Sequence, residues 1–165
     1  MIKREIAQYV NQMKGVTNGG AFCGAAVVAM ITGDDYKDVA FRIGDTADDM
    51  KLVDYLRSRG YVVDKIVDGG SAKSKWAFAP LEKHFQSMRD ALDDGRVILY
   101  HFAGWDKKSS GHYAVCIGYS DDDFIFKDPA GDRTQGYFND DGDGAIYSTG
   151  QLRAAGIKRL FSVKV

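Results

Sequence analysis

Gly95 divides this chain into two textures, and that division restricts the architectures open to it. Ahead of it, apolar residues recur mostly at three- and four-residue intervals, the mark of helices with one packed face. Behind it they come in short β-branched and aromatic runs, separated by clusters such as Ser120-Asp121-Asp122-Asp123 and Asn139 to Gly144. Helices grouped ahead of strands predict an α+β fold, with an N-terminal helical lobe packed on a C-terminal antiparallel sheet. A chain of 165 residues fits one domain, 1–165, and at this size roughly 70% of the unfolded surface is buried on folding. The core therefore needs no covalent staples.

In the first half, Ile2, Ile6, Tyr9, Val10 and Met13 predict a helix over Ile2 to Met13 ended at Gly15, and Val16 to Phe22 reads as a glycine-rich loop. From Cys23 to Ile31 the chain is apolar nearly all round, which predicts a helix buried on most sides and stopped near Gly33. A short helix follows within Asp34 to Gly44. Thr46-Ala47-Asp48-Asp49 looks like the cap of another that runs through Arg59, with Met50, Val53, Tyr55 and Leu56 facing inward. Tyr61 to Val67 reads as a strand, Gly69-Gly70 as a turn, and Pro80 as the opening of a helix over Leu81 to Leu92. Strands are expected at Arg96 to Phe102, Tyr113 to Tyr119, Phe124 to Lys127 and Arg159 to Val165.

Charge and apolar content exclude several functions. With 22 basic and 23 acidic residues the net charge is −1, so no global field favours nucleic acid or an anionic membrane. The longest apolar window, Ala25 to Ile31, falls far short of the roughly 20 residues that a membrane helix needs. The charged opening Met1-Ile2-Lys3-Arg4-Glu5 is unlike a Sec signal. The expectation is a protein without membrane insertion, cytoplasmic or exported by a route that needs no Sec signal peptide. Two cysteines, Cys23 and Cys116, are too few for a disulfide scaffold, so each reads as a thiol.

Cys23 opens the buried helix, where unpaired N–H groups and the positive dipole end favour a thiolate and offer donors to a developing oxyanion. The competing reading is a small buried hydrophobe at a helix start. His112 follows Ser109-Ser110-Gly111 at the start of a strand, where an imidazole can face a cleft and serve as base for a thiol; a structural or solvated histidine is the alternative. If the strands on either side of Asp121 to Asp123 form a hairpin, Asp128 returns close to His112, although Asp-Pro alone reads as a turn initiator.

Taken together, Cys23-Gly24-Ala25-Ala26 opening a helix, Gly111-His112-Tyr113-Ala114-Val115 with Ile117-Gly118-Tyr119 on a strand, and Asp128-Pro129 after a turn resemble the papain-like bacteriocin-processing (double-glycine leader) peptidases. Leu92-Asp93-Asp94-Gly95-Arg96-Val97-Ile98-Leu99 also resembles that family's helix, glycine and strand ahead of the histidine, and Gln151 to Val165 its closing helix and strand. The resemblance implies a papain-like cysteine peptidase fold, with Cys23 as nucleophile, His112 as general base and Asp128 as the orienting acid. It implies a peptide or protein substrate, and no metal or organic cofactor. The family places a glutamine six residues ahead of the cysteine to complete the oxyanion hole; Thr17 stands there, leaving Asn18 or Gln12 as the amide donor. Three functions fit: a leader-peptidase-like protease, a peptidoglycan amidase or secreted effector acting on cell-wall peptides, and a peptide-binding module that retains the fold.

The remaining candidates carry less. Cys116 sits mid-strand as a buried thiol, Asn139 to Gly144 lacks EF-hand spacing, and His84 and His101 have no cysteine or acidic partner at metal-ligand spacing in the sequence. Trp76, Phe78, Phe102, Trp105 and Tyr113 divide between core and cleft wall.

Overall fold

The computed structural model describes residues 1–68, 78–104, 111–136 and 138–165. Trp76, Trp105, the Gly69-Gly70 turn and Ser109-Ser110 lie outside them. The first helix, α1, spans Cys23–Thr32 and buries every residue from Gly24 to Ile31, so Val27, Val28, Met30 and Ile31 each contribute on the order of 1.5–3 kcal/mol by leaving water. It stops at Gly33, whose left-handed φ of 78° lets its N–H close on the Ala29 carbonyl. Helix α2 (Tyr36–Ile43) is capped by the Asp35 side chain and α3 (Asp49–Ser58) by that of Asp48. Along α3 the buried face is Asp49, Leu52, Val53 and Leu56. Met50, expected to point inward, is 58% exposed, because Leu52 takes the place over α1.

Among the described residues seven strands form one antiparallel sheet: β1 (Ile2–Lys3), β2 (Val62–Asp68), β3 (Arg96–Phe102), β4 (His112–Ser120), β5 (Asp123–Lys127), β6 (Asp143–Ser148) and β7 (Ile157–Lys164). The order is β2-β7-β3-β4-β5-β6, with β1 paired to the end of β4. One face, carrying Val97, Leu99, Val115, Ile117 and Val163, packs on α1 to α3. The other face, carrying Tyr100, Phe102, Phe124, Phe126 and Tyr147, packs on α4 (Glu82–Asp93) and α5 (Thr149–Ala155). Helix α4 thus covers the far side of the sheet although it precedes most of it in sequence. The architecture is α+β, a helical lobe on an antiparallel sheet, as the pattern of elements predicts.

The N-terminus departs from the predicted helix. Ile2 and Lys3 pair with Tyr119 and Gly118 of β4, and a Cβ on Gly118 would stand 2.2 Å from the Ile2 carbonyl oxygen, so only glycine admits the strand. Residues 4–18 contain no helix and run as a strap tied by polar side chains to the ends of other elements. Arg4 donates to the Leu92 and Asp93 carbonyls at the end of α4, and the Gln8 amide donates to Ala29 and Asp34. Those long-range bonds to main-chain carbonyls at and beyond the helix ends outweigh the helical spacing of Ile2, Ile6 and Tyr9.

Candidate active site

The strap, α1 and the β4–β5 hairpin converge on one point. Cys23 is the first residue of α1 and partly exposed. No side-chain cap bond closes the helix at Phe22, and its first turn carries no acidic residue, so the positive end of the helix is left to the thiol. His112 opens β4 and is 6% exposed, its ring stacked on Phe102 with centroids 6.0 Å apart. Strand β5 pairs back along β4 from Ser120↔Asp123 to Val115↔Lys127, with a bulge between Cys116 and Gly118 that shifts the register. That hairpin returns Asp128 to His112, and Asp128 Oδ1 lies 2.7 Å from His112 Nε2. The carboxylate accepts, so Nε2 carries the proton and Nδ1 is left for Cys23.

The electrostatics follow from these contacts. Burial alone would raise the Cys23 pKa, but a hydrogen bond with His112, the imidazolium charge and the backbone N–H of Tyr113 together bring it below the ordinary thiol value. Burial alone would lower that of His112; the charge and hydrogen bond of Asp128, joined by Cys23, instead push it up to about 9. Both shifts favour a thiolate–imidazolium pair.

Asp128 is fully buried and every oxygen has a donor. Oδ1 also accepts the Ala130 N–H at 3.0 Å, Oδ2 accepts the Tyr147 hydroxyl at 2.7 Å, and the main-chain oxygen accepts the Tyr9 hydroxyl at 2.7 Å. Neither tyrosine was recognisable from the sequence. Tyr147 lies on β6, whose short run behind the Asn139 to Gly144 cluster gave no strand signal, and Tyr9 lies on the strap misread as a helix.

The two amide candidates diverge. Asn18 is exposed, in left-handed backbone at φ 57°, ahead of the short 3-10 turn Gly19–Ala21. Gln12 is 1% exposed. Its amide Nε2 donates to the Gly19 carbonyl at 3.0 Å, its backbone N–H donates to Pro129 at 2.9 Å, and its carbonyl accepts the Tyr36 hydroxyl at 2.7 Å. A Cβ on Gly19 would stand 2.0 Å from the Gln12 carbonyl oxygen. The chain therefore leaves Gln12, loops out through Met13 to Asn18, and returns against Gln12 just ahead of Cys23.

Cys116 is fully buried on β4, and burial raises its pKa. Among the described residues no group of three or more His, Cys, Asp and Glu side chains is arranged to hold a metal ion, and no helix is long and apolar enough to cross a membrane.

The model of the Peptidase_C39 like family matches residues 6–146. A search of curated protein sequences found no match. Among solved structures, a protein described as a C39-like peptidase from Bacillus anthracis aligns with TM-score 0.64 at 11% identity, covering 99% of this chain and 97% of that one. The peptidase domain of Streptococcus ComA, a bi-functional ABC transporter of a quorum-sensing pathway, aligns with TM-score 0.61 at 13% identity over 96% and 98% of the two chains. A double glycine motif protease from an AMS/PCAT transporter, solved with its leader peptide, aligns with TM-score 0.56 at 13% identity over 99% and 97%. At such identities the likeness concerns the fold.

Proposed function

The chain belongs to the Peptidase_C39 like family, and from that premise we propose that residues 1–165 act as one cysteine peptidase unit that cleaves an amide bond in a peptide. The observation that carries the reading is Cys23 at the open end of α1, its thiol acidified by a histidine whose Nε2 is held 2.7 Å from a buried aspartate. In this reading the Cys23 thiolate attacks the scissile carbonyl carbon. The carbonyl oxygen takes up the negative charge, facing N–H groups at the start of α1. His112 then donates its proton to the leaving amine, and a thioester remains on Cys23. Water, deprotonated by His112, attacks the thioester and releases the acid. Asp128 keeps the imidazole in the tautomer and orientation that both steps need.

Gln12 is the amide donor in this account, in preference to Asn18. Its burial, its bond to Gly19 and its contact with Pro129 beside Asp128 put it at the base of the loop that leads into Cys23. The looped-out Met13 to Asn18 explains why Thr17, and not Gln12, stands at the family's usual sequence distance.

The related protease solved with a leader peptide supports a peptide substrate, cut after small residues as in double-glycine leaders. The test is incubation of wild-type protein and Cys23→Ala with a library of double-glycine peptides and, separately, purified peptidoglycan, followed by mass spectrometry. New peptide termini that vanish in Cys23→Ala are expected. Cell-wall fragments alone would redirect the reading to an amidase, and identical profiles for the two proteins would overturn it.

A further inference from the structure

A second buried polar cluster lies on the helical face of the sheet. Arg159, His101 and Tyr113 occupy one row across the neighbouring strands β7, β3 and β4, because His101 pairs in register with both of the others. All three converge on Asp49, in the first turn of α3 and 8% exposed. The Tyr113 hydroxyl donates to Oδ1, His101 Nδ1 lies 2.8 Å from the same oxygen, and an Arg159 guanidinium nitrogen donates to Oδ2 at 2.8 Å. The rings of His101 and Tyr113 stack with centroids 4.1 Å apart. Lys158, Asp48 and Cys23 also act on these residues, and Asp68 Oδ1 lies 3.4 Å from Arg159 Nε. A buried charge is held at a desolvation cost that apolar packing avoids, which makes a positional role worth seeking alongside any contribution to stability.

The position of the cluster supplies one. Tyr113 directly follows His112 on β4, and its backbone N–H is among the groups that hold the Cys23 pKa down. The same helix α3 carries Leu52, whose Cδ2 would lie 3.0 Å from a Cβ on Gly24, next to Cys23. One carboxylate thus joins the helix braced on the start of α1 to the strand that carries His112. We infer that Asp49 is a positioning residue: through the Tyr113 hydroxyl it fixes the start of β4, and with it the placement of the His112 imidazole, against the first turn of α1 that carries Cys23. The inference rests on the reading of Cys23 as an activated nucleophile.

Two variants test it. Tyr113→Phe keeps the stacked ring and removes the donor, and Asp49→Asn keeps the shape and removes the charge. The readouts are thermal melting and the pH dependence of iodoacetamide alkylation at Cys23, followed by mass spectrometry of the peptide that contains it. Tyr113→Phe is expected to stay folded while its alkylation midpoint moves up toward that of an ordinary thiol and its rate at pH 6 falls at least about threefold. Asp49→Asn should shift the midpoint in the same direction, and if it does not fold, Tyr113→Phe decides. A folded Tyr113→Phe with the wild-type alkylation profile would overturn this inference alone. Wild-type protein whose Cys23 reacts no faster than a free thiol would overturn both the inference and the peptidase reading.

Discussion

Removing a single oxygen atom from Tyr147 tests how Asp128 is held. The hydroxyl is buried, donates to Asp128 Oδ2 at 2.7 Å, and accepts the backbone N–H of Arg133 at 3.1 Å. Tyr147→Phe leaves the ring in its contacts, including that with Phe126 at 4.9 Å, and deletes both bonds. A hydrogen bond to a charged group is worth about 1.5–3 kcal/mol, and an N–H deprived of its acceptor costs about 1–3 kcal/mol. With some relaxation shared between the two, the loss should be about 2–4 kcal/mol. At this chain length each kcal/mol moves Tm by about 2–4 °C, so melting should fall by about 4–16 °C. The kinetic effect runs otherwise. Oδ1 still holds His112, so kcat should drop about tenfold or less, against the roughly 10⁴-fold that loss of the orienting acid costs in a triad. Relieved of one donor, the carboxylate is the stronger base, so the pKa of His112 should rise further above about 9. Differential scanning calorimetry and a pH–rate profile on a cleaved peptide check both halves. A Tm within about 1 °C of wild type, or a loss of kcat as large as that of Asp128→Ala, would refute this account of how the acid is fixed.

Other predictions follow from the same geometry. Gln12→Ala should lower kcat by about 10²–10³ with little change in KM, as loss of one oxyanion donor does, whereas Asn18→Ala should leave both within about twofold; steady-state kinetics on one peptide compares them. Because His112 is raised from 6.5 to about 9, the imidazolium that protonates the leaving amine is present below that value and lost above it, so kcat/KM should fall on its alkaline side near pH 9. Asp49 is pulled from 3.8 down to about 2, burial being outweighed by His101, Tyr113 and Arg159. A depressed carboxyl stabilises the fold above its unfolded pKa and loses that contribution as pH falls, here about 2 kcal/mol between pH 4 and 2. Urea unfolding of wild type and Asp49→Asn should therefore differ less at pH 2 than at pH 4.

Most of the frame is legible in the sequence. Helices α1 to α4 show 3.6-residue periodicity or an all-apolar run with caps at Asp35, Asp48 and Gly33, and β3, β4, β5 and β7 are apolar stretches between turn residues. The return of Asp128 to His112 is legible too, because a hairpin fixes where its ends meet, whereas Cys23 joins them in the sequence only through the family resemblance. The errors have physical causes. Ile2 to Met13 has helical spacing but becomes a strap because Arg4, Gln8 and Tyr9 find main-chain acceptors far along the chain, and local periodicity carries no record of them. Tyr147 was hidden with β6, a six-residue strand entered from an acidic turn. Gln12 was an even choice with Asn18 in the sequence, since counting residues cannot show that Met13 to Asn18 loops out.

The central claim is that Cys23 is held as a reactive thiolate by His112. It is tested most directly by the rate of iodoacetamide alkylation at Cys23 at pH 6 in wild type and His112→Ala. A thiol of ordinary pKa is only about 0.3% thiolate at that pH. The account predicts that wild-type Cys23 reacts at least about fivefold faster than free cysteine, and that His112→Ala removes the advantage. Alkylation of wild-type protein no faster than free cysteine, or equal rates in the two proteins, would contradict it.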